Sequence, residues 1–195
     1  RAWIFAAYLD MCGSNSLLRH AGAGFFFFSS LPFRPFFRQA AKIRIRMFGG
    51  FSLFVNNECM DQVIAKSKKG MSLLQYLILK EDAVVLNYKL IEVLWPNEES
   101  TNPENALKTL ISRFRAILNS CSEGLGNCIA ASRGGYRFQL LPNMTVDMFE
   151  FESLADKLEG RTELTDDTNE LYQKVLTLYT GDLLAGNDQD DWAIS

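Results

Sequence analysis

At 195 residues the chain can bury one or two real cores, and its 48% hydrophobic content supplies them. A net charge of −3 neither marks nor excludes nucleic acid, while four scattered cysteines (Cys12, Cys59, Cys121, Cys128) and one histidine, His20, exclude a credible zinc site. The charge is unevenly spread: residues 1–41 hold four basic and one acidic side chain, 42–143 thirteen and nine, and 144–195 three and thirteen. A mildly basic middle before a strongly acidic tail predicts two modules with different partners. Thiols without CxxC spacing predict a reduced, cytoplasmic protein. Beginning at Arg1 rather than Met, the chain reads as a fragment of a longer one.

Residues 1–41 are Phe-rich, and the reading assigns them no function. Arg19, His20, Arg34 and Arg38 interrupt them, and no run reaches the length of a membrane span. AGAG precedes the Phe run rather than following it, which argues against a signal peptide. From 43 to 57 apolar and polar residues alternate around Gly49-Gly50, which predicts a small antiparallel sheet, with a further short strand around Val63-Ile64. Two helices follow within 68–95. The first carries Leu73, Leu74, Leu77 and Ile78 on one face, and the second Leu90, Ile91, Leu94 and Trp95. AVVL between them reads as a brief connection, and Pro96 stops the second helix.

Residues 102–118, NPENALKTLISRFRAIL, predict a helix with two unlike faces. Asn102 is a good N-cap and Pro103 suits the first helical position. Leu107, Leu110, Ile111, Phe114 and Leu118 share one side; Asn105, Lys108, Thr109, Ser112, Arg113 and Arg115 fall on the other. By default such a helix is a solvated surface element. Its cations, amides and hydroxyls, with Glu104 confined to the first turn, also suit a major groove, where bases offer donors and acceptors between walls of phosphate. Residues 128–141 then predict a hairpin with Arg133-Gly134-Gly135 at its tip, from which Arg133 reaches toward a minor groove.

Strands, three helices and a hairpin make a winged helix-turn-helix. Residues 43–141 resemble the winged-helix effector domain of the OmpR type, whose wing motif is matched by SRGGYRF at 132–138, one residue short at the tip. The closer resemblance is to the Streptomyces antibiotic regulatory protein (SARP) type, through Leu90-Ile91 with Leu94-Trp95 and through Asn105, Leu107 and Ser112-Arg113-Phe114-Arg115. That resemblance implies a domain at 42–143 and, at 144–195, the truncated start of a bacterial transcriptional activator domain of TPR-like helices. The expected fold class is therefore α+β, a winged helix followed by an α-helical hairpin. In the second module Asp147 and Glu150 have capping-box spacing before one helix, RTELTDDTN reads as a loop, and Leu171, Val175 and Leu178 mark the next helix.

The function this predicts is a sequence-specific transcriptional regulator, an activator, that reads double-stranded promoter DNA. Asn105, Lys108, Thr109 and Ser112 would meet base edges; Lys108, Arg113, Arg115 and Arg133 would meet phosphate or the minor groove. Resemblance further implies direct repeats, neighbouring protomers, and RNA polymerase as a partner of the loop at 97–101. No membrane, metal or cofactor is expected. No nucleophile–base pair, phosphate loop or HExxH appears, so an enzyme is not expected either. The alternative is a protein-interaction module that uses the acidic helices, with the winged helix as a scaffold.

Overall fold

Alternating apolar and basic residues form β1, Ile43–Arg46, with Ile43 and Ile45 buried and Arg44 exposed. The chain reverses at Gly49-Gly50, both at positive φ (+70° and +107°), where a side chain would be strained. β2, Ser52–Val55, returns antiparallel with Leu53 opposite Ile45, and β3, Glu58–Cys59, adds to it. The computed structural model describes residues 41–96, 101–159, 165–186 and 192. The expectations for 1–40, for most of the loop at 97–101 and for the first part of the RTELTDDTN loop lie outside those residues.

Where the sequence predicted a strand around Val63-Ile64, the structure has a single helical turn, α1, Asp61–Ile64. Its Asp61 carboxylate accepts the Leu53 N–H at 2.9 Å, and Ile64 turns into the core. α2, Lys68–Leu79, starts at Ser67, whose hydroxyl accepts the Gly70 N–H at 3.2 Å. Leu73, Leu74, Leu77 and Ile78 are buried, as their spacing demands.

The AVVL stretch is more than a connection. Val85–Leu86 is a strand, β4, ahead of α3, Asn87–Leu94. β4 pairs with the second strand of the hairpin formed by β5, Ile129–Ser132, and β6, Gly135–Phe138, giving a sheet of order β4-β6-β5. The adjoining glycines of the hairpin divide the work. Gly134 takes the positive φ of the turn, +77°, and Gly135 lets β4 approach: a Cβ there would lie 2.1 Å from the Val85 carbonyl oxygen.

α4, Pro103–Cys121, is the longest helix among the described residues. Its first turn is capped by Asn102, whose side chain accepts the Asn105 N–H at 3.1 Å, with Pro103 at the first helical position. Leu107, Ile111, Phe114 and Leu118 are buried in one core with β1, β2, α2 and α3. Leu110, expected in that core, is only half-buried, because it lies on the flank of the apolar stripe rather than at its centre. At the crossing of α2 and α4, Gly70 sits against the Phe114 ring, where a Cβ would come within 2.3 Å of ring carbon.

After the hairpin, β7, Met144–Val146, runs parallel to β1 and closes a four-stranded sheet of order β3-β2-β1-β7. α5, Asp147–Leu158, and α6, Asp166–Leu178, then pack on each other. α6 begins inside the stretch read as a loop, at a capping box in which Thr165 and Thr168 each accept the other's N–H. Asp147 does not cap α5 in the expected way: its carboxylate is turned onto the end of β1. The architecture is α+β, a winged helix with an N-terminal sheet and a terminal hairpin, followed by a helical pair.

Candidate nucleic-acid interface

The buried stripe of α4 fixes what its other side presents. Asn105, Lys108, Thr109, Ser112 and Arg113 are all exposed, together on the face turned away from Phe114. At about 100° per residue, Ala116, Asn119 and Ser120, also exposed, extend that face. The face carries cations, amides and hydroxyls and no carboxylate; Glu104 lies at its edge, in the first turn, where the helix dipole favours an acid. Five of the seven residues predicted for contact are thus brought to one surface.

Arg133 is exposed at the wing tip, between Ser132 and Gly134. The tip is held to the second helix of the motif, where the Asn87 N–H donates to the Gly134 carbonyl at 3.0 Å.

Arg115 is placed differently. It is half-buried on the flank of α4 that faces the hairpin. Its guanidinium donates to the Ile129 carbonyl at 2.7 Å and lies over the Tyr136 ring, 5.9 Å from the centroid. It joins the helix to the wing rather than the exposed set.

The opposite flank of α4 borders a groove of about 500 Å³ lined by Lys66, Ser67, Trp95, Thr109, Leu110 and Arg113, among others. Lys69 covers the Trp95 ring at 4.9 Å and Lys68 is exposed beside it. Neither Lys66 nor the groove is among the contacts the sequence reading predicts. The KSKK run at 66–69 was the available signal.

Among the described residues no group of three or more His, Cys, Asp or Glu side chains could hold a metal ion. No helix among them is long and apolar enough to cross a membrane.

Residues 61–138, from α1 to β6, match the family model described as "Transcriptional regulatory protein, C terminal". This region resembles an OmpR/SARP-type effector domain. Over 122 residues the chain is 27% identical to the regulatory protein AfsR of Streptomyces coelicolor, a stretch that is 62% of this chain and 12% of that protein. The fold is similar to that of Mycobacterium tuberculosis EmbR, solved in complex with a low-affinity phosphopeptide. The TM-score is 0.62 at 16% identity, covering 79% of this chain and 40% of that one. The chain therefore spans a small part of AfsR and less than half of EmbR. Within the winged-helix arrangement, α4 occupies the third-helix position and β5–β6 the wing.

Proposed function

We propose that this chain is the DNA-binding part of a transcriptional activator, that α4 enters the major groove, and that the β5–β6 wing lies beside it. The observation that carries this is the acid-free exposed face of α4: Asn105, Lys108, Thr109, Ser112 and Arg113 stand on one side of a helix whose other side is core. Asn105, Lys108, Thr109 and Ser112 have the donors and acceptors for base edges, and Arg113 and Arg133 the charge for phosphate or a narrow minor groove. Arg115 acts through its hold on the wing.

On resemblance alone the proposal extends further. It takes in the cytoplasm, promoter sites arranged as direct repeats, protomers side by side on them, RNA polymerase as a protein partner, and α5–α6 as the start of a TPR-like activator domain. The domain limits proposed are 42–143 and 144–195.

The test is fluorescence anisotropy of the full chain on mixed-sequence duplex DNA at rising salt, followed by selection of preferred sites from a random pool. Binding at low salt that falls steeply with salt supports the proposal, since each neutralised phosphate releases counterions. No affinity at low salt would leave the protein-interaction module as the reading.

A further inference from the structure

A helix lying in a major groove has a phosphate backbone along each flank. On α4 the two flanks are unlike. Arg115 marks one, bonded to the wing strand at Ile129. Taking about 100° per residue, Thr109, Arg113, Leu110 and Ile117 mark the other, roughly across the helix from Arg115. That second flank is where the groove opens, and its far wall is Lys66, Ser67 and Trp95.

The groove's chemistry suits a sugar–phosphate strand. Lys66 is exposed and Arg113 faces it from α4. Among the described residues no carboxylate pairs with either one, and none lines the groove. Trp95 offers a half-buried apolar wall, as a deoxyribose would need. With the wing proposed to lie on one flank of α4, the groove presents Lys66, Arg113 and an apolar wall on the other.

We infer that this groove seats the DNA strand on the side of α4 away from the wing, with the Lys66 ammonium as its sequence-independent phosphate contact. This rests on the proposed DNA-binding function and adds a residue outside α4 and the wing to it. The site's ligand class is a phosphodiester backbone rather than a base edge.

The experiment measures binding of the full chain and of Lys66→Ala, Lys66→Gln and Lys174→Ala to one selected duplex and one scrambled duplex, from about 50 to 300 mM salt. Lys174, exposed on α6, controls for net charge. Lys66→Gln keeps most of the apolar stem and removes the charge, so it separates electrostatics from packing.

Both Lys66 variants are expected to bind less tightly by the same factor on both duplexes. The slope of log affinity against log salt should be shallower by about 1, with Lys174→Ala unchanged. If the wild-type chain binds DNA while the Lys66 variants keep its slope and affinity, the inference is overturned. The same holds if Lys174→Ala loses as much, or if Lys66 variants lose affinity for the selected duplex alone, which would make Lys66 a base reader. If the wild-type chain binds neither duplex, it is the DNA-binding proposal that fails.

Discussion

The Asp147 carboxylate accepts the backbone N–H of Met47 at 2.8 Å, one hundred residues earlier in the chain. Its second oxygen accepts the Phe48 N–H at 3.1 Å, and the first also takes the N–H of Met148 at 2.8 Å. The start of α5 is thereby fastened to the end of β1. The segment after α6 holds the same turn: the Thr180 hydroxyl donates to the Phe48 carbonyl, Gly49 N–H to Asp182, and Leu184 N–H to Met47. Phe48, Phe151 and Tyr179 pack ring to ring around it. Asp147→Ala would leave these buried donors without an acceptor. We expect a loss of about 3 kcal/mol, at 1–3 kcal/mol for each unmet buried group. Urea unfolding checks it, as a lower midpoint at unchanged slope.

Arg113→Ala and Arg115→Ala should part company. Arg113 is exposed, so its loss is expected to weaken DNA binding by about 1–3 kcal/mol while leaving thermal unfolding in place. Arg115 holds Ile129, so its loss is expected to lower the unfolding midpoint first. Titration with duplex and thermal melting of both variants give the comparison. An unfolded Arg113→Ala would contradict the face assigned to α4.

Gly70→Ala normally favours a helix by up to about 1 kcal/mol. Here the new methyl would meet the Phe114 ring at 2.3 Å, so a net destabilisation of about 1–3 kcal/mol is expected from overpacking. Combining it with Phe114→Leu should recover part of that loss, and a double-mutant cycle on urea midpoints measures the coupling.

Burial pushes the Cys128 thiol from an ordinary value of 9.0 up to about 12, with Arg115 pulling weakly the other way. In the folded chain it should resist thiol reagents at pH 8, while exposed Cys59 reacts. Peptide mapping after labelling distinguishes the two. Because the folded value is the higher one, the unfolded chain loses this proton first. The associated stability is complete below 9.0 and is lost as pH rises toward about 12. Cys128→Ala should therefore show a gentler alkaline decline in stability than the parent chain.

What the sequence made legible was what local chemistry writes down. α4 was placed to within three residues because a cap, a proline and a strict apolar period coincide at Asn102–Leu118. The buried face of α2 followed from the same period; in α3 Leu90 and Leu94 are buried, while Ile91 and the capping Trp95 are only half-buried. What escaped was non-local. Val85–Leu86 and Met144–Val146 are two and three residues long and become strands only through partners at Tyr136 and Ile43. Ile64 carries β-prone character, yet Asp61 is drawn to Leu53 and winds the segment into a turn of helix. Asp147 has capping-box spacing, but two N–H groups at the end of β1 outcompete the helix for its oxygens. Arg115 shares the outer half of the helical wheel with Arg113, and only the position of β5 reveals which of them is already occupied.

The bond from Arg115 to Ile129 has a consequence for anyone wishing to retarget such a protein. Transplanting a foreign helix in place of α4 would discard Arg115, whose guanidinium bonds helix to hairpin. A graft that carries residues 103–138 as a single cassette would keep that registration, and the angle between α4 and the hairpin would travel with it.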